Sequence, residues 1–437
     1  MKKIISLVLV LVMSMLLLIG CQDESAETNQ PDANEPVVED VVVDIFQFKV
    51  EIVEQLDALV DDFEKQYPHI DIVMDTVGGG QDYSAALRVR MNSGNQPAIF
   101  NVPGPTERDM WREFLEPLND QDWIQYAAKG TLDNITVDGN IYGVPFGLEG
   151  YGIIYNVSML KDAGIDTSKI DTLSELSEAF SILDEKKDEL GIDVVLSYSV
   201  GASAWWTAAY HTFNIPFAMQ EDPMAFIDSL NDGTGQIYSN DRFEGFFDLL
   251  DLFFEYSYED LITVTYDAQV SNFALGKTAM LHQGNWTIGM IQEISPEIEM
   301  AFLPIPLSDN KAWGNDSIPV GVPNFWVVNS QLEPEVKEAA KKFLNFMMNT
   351  DRGHRFLVEE AQFIPAFTHV KIQPKDPLAK SIQDYVYAGR ILPWVWHGFP
   401  AGFNEIDAKQ AIQEYYLGKR TRSEVMIFLD EMWQEKK

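Results

Sequence analysis

Val41-Val42-Val43-Asp44-Ile45-Phe46-Gln47-Phe48 opens the stretch that decides the fold. It is an apolar, β-branched run of strand length. Ile52, Val53, Leu56, Leu59, Val60 and Phe63 then recur at three- and four-residue spacing as far as Tyr67-Pro68, which predicts an amphipathic helix stopped by proline. Ile70-Asp71-Ile72-Val73-Met74 supplies a second strand and Gly78-Gly79-Gly80 a loop. Tyr83 to Asn92 supplies a second helix, and Pro97-Ala98-Ile99-Phe100 a third strand. The alternation β-α-β-α-β implies a parallel sheet covered by helices. Ligands of such sheets sit beyond the carboxyl ends of the strands, where the loops at 46–49, 78–83 and 101–106 gather. The glycine run lacks the G-x-x-x-x-G-K-[ST] continuation of a phosphate loop and reads as a flexible loop.

The chain around this stretch has 437 residues, more than a single core of about 250–300 residues accommodates, so two lobes are expected. With 46% hydrophobic and 12% aromatic residues it has ample material to bury. Thirty-one basic against 68 acidic residues give a net charge of −37, which repels phosphate backbones and anionic lipid; nucleic acid is therefore not an expected partner. One cysteine excludes an internal disulfide and a CxxC redox site. The six histidines show no HExxH pairing, and Gly201-Ala202-Ser203-Ala204-Trp205 misses the last glycine of Gly-x-Ser-x-Gly. Neither a metal nor a cofactor is expected.

Lys2 and Lys3 precede an apolar run from Ile4 to Ile19, the anatomy of a secretory leader over residues 1–20. Leu18-Ile19-Gly20-Cys21 resembles the bacterial lipobox, which implies cleavage before Cys21 and lipidation of its thiol. Residues 21–40 are acidic, polar and poor in large apolar groups, and read as a linker from lipid to domain. The expected location is the outer face of a bacterial cytoplasmic membrane, touched through the lipid anchor only.

Asp138-Gly139 between β-formers predicts a tight hairpin. The glycine-rich run Gly143 to Asn156 suggests a crossing from one lobe to the other, and helical spacing continues at 172–187, 241–256, 336–348, 405–417 and 423–434. Six motifs in this order carry a resemblance. They are Phe63-Glu64-Lys65-Gln66-Tyr67-Pro68-His69-Ile70, Ser93-Gly94-Asn95-Gln96-Pro97-Ala98-Ile99-Phe100, and Asp138-Gly139-Asn140-Ile141-Tyr142-Gly143-Val144-Pro145. Tyr155-Asn156 with Ala163-Gly164-Ile165 follows, then Phe273 to Met280 with Gly284-Asn285-Trp286, and Glu338 to Leu344. Over about residues 41–435 the chain resembles the extracellular solute-binding proteins of family 1, the maltose-binding-protein-like group that delivers carbohydrates to ABC importers. Ala98 departs from the family's usual aspartate at that position.

The resemblance implies an α/β, two-lobed periplasmic-binding-protein-like fold with a hinge and an interlobe cleft. Residues 41–149 plus about 300–360 would form one lobe, and 150–299 plus about 361–437 the other. It also implies a monomer that closes on an oligosaccharide and is recognised by the importer's permease subunits.

A pyranose presents apolar C–H faces and a hydroxyl rim, so its site needs flat aromatic surfaces and directed polar groups. One indole covering a sugar face contributes about 1–2.5 kcal/mol. Glu149 and Tyr151 at the glycine-rich crossing, and Trp205 and Trp206 in a loop of small residues, fit that need. So do Trp394 and Trp396, whose alternation points both to one side of a strand. Gln47, Gln81, Asp82 and Tyr83 lie on the first-lobe loops. The family motif adds Asn285 and Trp286, and the turn after Gly321-Val322-Pro323 adds Asn324, with Trp326 a core candidate. Trp111, Trp123 and Trp433 read as structural. The rival reading is a secreted glycoside hydrolase, which needs two carboxyl groups about 5–5.5 or 6.5–9.5 Å apart. A peptide- or metal-binding lipoprotein would share the leader and the clamp with fewer loop tryptophans. Several such tryptophans favour an oligosaccharide, and residues 198–230 and 390–403 resemble raffinose-type transporters.

Overall fold

A computed structural model describes residues 40–437; the leader at 1–20, Cys21 and the linker as far as Glu39 lie outside the described residues. Strands Val41–Gln47, Ile70–Thr76 and Ile99–Val102 pair in parallel, and Val41–Gln47 lies between the other two. Phe325–Val328 joins this sheet antiparallel to Ile99–Val102, and Val144–Pro145 closes its edge. On helix Val53–Gln66 the predicted apolar positions Leu56, Leu59, Val60 and Phe63 are buried. The Phe63 ring meets Phe343 and Phe346 of helix Pro334–Asn349 at 5.2 and 5.4 Å. Asp138 and Gly139 both take positive φ, 51° and 79°, in the turn between Thr136–Val137 and Asn140–Ile141, the geometry that Asp-Gly favours.

The second sheet is built on Glu149–Asn156, antiparallel to Thr278–Gly284, which in turn pairs in parallel with Val194–Ser197. The other edge of Glu149–Asn156 takes Ile318–Gly321 at its start and Met300–Leu303 at its end, and Ile391–Leu392 extends the sheet beyond Ile318. Beneath it lies a phenylalanine-rich core, with Phe213, Phe217, Phe243, Phe246, Phe399 and Trp433 in one cluster. The Trp433 Nε1 donates to Asn231 Oδ1 at 3.0 Å, so its polar atom is satisfied within that core.

The crossings differ from the sequence expectation. Met300–Leu303 belongs to the second sheet, and the chain re-enters the first only at Phe325. Phe363, Ala366, Phe367 and Val370 pack in the first core, so the last crossing follows Val370. Apolar spacing marks a strand without saying which sheet it joins. At the first two crossings, Val144–Gly150 runs antiparallel to Val320–Trp326, a two-stranded ribbon shared by both lobes. Among the described residues no helix is long and apolar enough to cross a membrane.

His282 sits fully buried between Tyr198 and Phe253, and burial lowers its pKa from 6.5 to about 3. Between those values the unfolded chain binds a proton that the folded one refuses, so stability falls as pH falls below about 6.5. His282→Gln is expected to reduce that slope by up to about 1.4 kcal/mol per pH unit, measured by urea melts across the acid range. An unchanged slope would show that His282 is not held neutral.

Candidate functional site

The loops after the three parallel strands of the first lobe face the second lobe across a cavity of about 270 Å³. Its wall includes Phe48, Lys49, Glu51, Gly78 to Ser84, Thr106 and Glu107 from the first lobe. Trp205, Trp206, Tyr210, His211, Trp286, Trp394, Trp396, His397, Asn404 and Glu405 come from the second, and Glu149 and Asn324 from the hinge ribbon. Ten of the residues selected from sequence are thus brought together: Gln81, Asp82, Tyr83, Glu149, Trp205, Trp206, Trp286, Asn324, Trp394 and Trp396.

Gln47, Tyr151 and Asn285 are not on this wall; each is buried behind it. Gln47 donates to the Lys49 carbonyl at 3.0 Å and to Thr76 Oγ1 at 2.6 Å, and accepts from the Lys49 amide, so it shapes the loop that presents Lys49. Tyr151 stacks on His211 at 4.4 Å and donates its hydroxyl to the His211 carbonyl at 3.0 Å. Asn285 accepts the Gly150 amide at 3.0 Å and pins the hinge strand. In each case an unpaired backbone group or ring inside the protein takes the polar side chain that the sequence assigned to a ligand.

Five tryptophans line the cavity. Trp394 and Trp396 stack on one another with centroids 4.6 Å apart and planes 30° from parallel. They reach the same side through a turn at Val395, whose φ and ψ are −91° and −14°, rather than by strand alternation. A Cβ built on Gly284 would lie 2.1 Å from the Trp286 ring, so the glycine of Gly284-Asn285-Trp286 is what lets that indole lie flat on its own strand end. Tyr83 stacks on Phe46 at 4.9 Å and donates to the Phe46 carbonyl, while Asp82 caps helix Tyr83–Asn92 by accepting the Ala85 amide at 2.8 Å.

The lobes touch around the cavity. Trp205 Nε1 donates to the Gly80 carbonyl at 3.2 Å, Thr106 Oγ1 to the Phe399 carbonyl at 3.0 Å, and the Tyr266 hydroxyl to Glu51 Oε1 at 2.9 Å. Lys49 forms an ion pair with Glu149, both side chains only 4% exposed. Burial raises the Glu149 carboxyl, and the Lys49 ammonium opposes that rise. Several buried polar atoms on the wall have no partner in the protein: Asn324 Oδ1, both polar atoms of Asn404, Trp394 Nε1, Glu107 Oε2, and Nδ1 of His211 and His397. Burial lowers both of these histidines, His397 to about 3, so each ring is neutral and offers one donor and one acceptor.

Sequence reasoning did not select Lys49, Glu51, Glu107, Tyr210, His211, His397, Asn404 or Glu405. Lys49 had a signal, a charge inside the apolar run Phe48-Lys49-Val50 at a strand's carboxyl end. Tyr210 with His211, and Asn404 with Glu405, stand on single π-helical turns, Thr207–Thr212 and Phe403–Ala408. Such turns recur at functional sites, and a 3.6-residue periodicity cannot register them. Among the described residues no cluster of His, Cys, Asp and Glu could hold a metal ion.

A clamp of two α/β lobes around a tryptophan-lined cleft defines a class of solute-binding proteins. The family of bacterial extracellular solute-binding proteins matches residues 58–383, and the chain belongs to that family. It is a binding protein and not an enzyme, which removes the hydrolase reading. Curated relatives include the maltotriose-binding protein of Pyrococcus abyssi, 23% identical over 83% of this chain and 77% of the relative. The multiple sugar-binding protein of Streptococcus mutans is 22% identical over 84% of this chain and 86% of its own. Among solved structures, a chitin oligosaccharide binding protein superposes with a TM-score of 0.76 at 21% identity, covering 90% of this chain and 98% of that one. RafE in complex with raffinose gives 0.75 at 19%, covering 91% and 99%. These likenesses establish the two-lobed fold.

Proposed function

We propose that the protein captures an oligosaccharide in the interlobe cleft and delivers it to the permease subunits of an ABC importer, held at the outer face of the membrane by a lipid on Cys21. One observation carries the reading: five indoles share a cavity with buried polar atoms that find no partner inside the protein. Each such atom left unpaired costs about 1–3 kcal/mol, a cost that ligand hydroxyls remove, while the indoles cover C–H faces. The relatives' sugar-binding names and ABC-transporter association support the same reading. Five indoles on one cavity wall are more than a single pyranose needs, which favours more than one sugar ring.

Calorimetry of the purified protein against a neutral glycan library tests this, with saturable binding and no released fragments expected. Trp396→Ala is expected to weaken the captured glycan about five- to sixtyfold, the loss of about 1–2.5 kcal/mol of covered sugar face. Trp313→Ala, which is away from the cavity and beneath Arg242, serves as the control and should leave affinity unchanged. If no glycan binds, neutral or amine-bearing, or if both variants behave alike, the proposal fails.

A further inference from the structure

We infer that the part of the cleft lined by Asp82, Glu107 and Glu405 is a subsite for a protonated amine on the saccharide, so that the preferred ligand is an amino sugar with a free ammonium group. The inference rests on the reading of the cleft as a saccharide site and narrows its substrate class.

Three carboxyl groups from both lobes share this wall. Unlike Glu149, which has Lys49, none of the three is ion-paired among the described residues. Asp82 is tied to its helix cap. Glu107 accepts from the Ser84 hydroxyl through one oxygen, and its other oxygen is buried without a partner. Glu405 accepts from the Tyr210 hydroxyl. Beside it, Asn404 is only 3% exposed, lines the same cavity, and has neither its amide nitrogen nor its oxygen bonded. That amide points independently to a polar ligand group at this place.

The aromatic groups here suit a cation. Trp205 and Tyr210 lie 5.9 Å apart with planes at 39°, and Tyr210 meets Trp396 at 5.9 Å, nearly edge-on. An ammonium among these rings gains cation–π attraction as well as charge-assisted hydrogen bonds to the carboxylates. Lys409 already lies over Trp205, 4.8 Å from the ring centroid, so that indole does hold a cation on one face. Arg88 is the cation whose field reaches both Glu107 and Glu405; it is not on the wall. Burial raises both acids, Glu107 to about 7; hydrogen bonds from Ser84 to Glu107 and from Tyr210 to Glu405 oppose the rise, as does Arg88, while nearby Asp82 adds to it. A neutral hydroxyl would be served by one carboxylate or an amide. An entering ammonium favours the ionised form of Glu107 and Glu405, which burial otherwise disfavours, and supplies the ion-pair partner that neither has among the described residues.

The test is calorimetry of the protein near neutral pH with linkage-matched glucosamine, N-acetylglucosamine and glucose, each as monosaccharide and as oligomer. The free-amine oligomer is expected to bind at least about tenfold tighter than its acetylated and neutral counterparts. Glu107→Gln combined with Glu405→Gln is expected to reduce that preference to about threefold or less, a readout that a general loss of packing would not move. Equal or tighter binding of the neutral or acetylated oligomer overturns the inference and leaves the saccharide reading standing. So does a preference that survives both substitutions. If none of these sugars binds, the inference falls, and the saccharide reading falls with it only if the wider neutral library is also silent.

Discussion

Lys49→Met is expected to cost about 3–5 kcal/mol of unfolding free energy, because it leaves Glu149 as an uncompensated buried acid at the hinge. The pair is enclosed by aromatic rings, with the Lys49 ammonium 5.5 Å from the Phe363 centroid and 5.9 Å from those of Phe48 and Trp286. Little water remains to solvate a lone carboxylate there. The double variant Lys49→Met with Glu149→Leu should recover most of the loss, since two apolar groups of similar volume leave no charge to desolvate. Urea melts of the parent, the single and the double variant check both halves. A single variant as stable as the parent would mean that the pair is solvated, and the burial of Lys49 and Glu149 described above would be wrong.

Gly104→Ala is expected to weaken ligand binding about tenfold to a hundredfold with little effect on the unliganded protein's stability. Gly104 has φ 175°, an extended conformation that alanine adopts without strain. Its added Cβ would stand 2.5 Å from the Cβ of His397 on the other lobe, closer than any real contact. Relieving an overlap of this kind costs about 1–3 kcal/mol, and here the cost falls on the closed arrangement alone. The open population rises, and the apparent affinity drops in proportion. Calorimetry with a bound saccharide measures the affinity, and small-angle scattering with and without it measures closure. Affinity equal to the parent's would show that the lobes do not meet here when ligand is bound.

The first lobe was largely legible because its instructions are local. Val41 to Phe100 spells strand, helix, strand, helix and strand in sequence order, and the Asp138-Gly139 turn carries its own φ requirement. Four of the tryptophans on the cavity wall were legible for a related reason: Trp205, Trp206, Trp394 and Trp396 stand in short, small or proline-flanked segments. What depended on the other half of the molecule was not. Nothing local says that Met300–Leu303 pairs with Glu149–Asn156, or that Gln47 spends its amide on Lys49 and Thr76. Tyr210, His211, Asn404 and Glu405 escaped because a π-helical turn shifts which face a residue shows, and residues 405–417 read as an ordinary amphipathic helix. Glu107 resembles any exposed acid in a helix's first turn until Ser84 and the second lobe enclose it.

Because the backbone passes between the halves at three places, after Phe146, after Gly321 and after Val370, no single scission can release one half from the other. A protease nick at one passage leaves two covalent straps, and new chain ends placed at one passage leave the swing of the jaws guided by the other two. The molecule is thus tethered redundantly, and its opening is confined to the bending of a narrow braid rather than the slack of a loose cord.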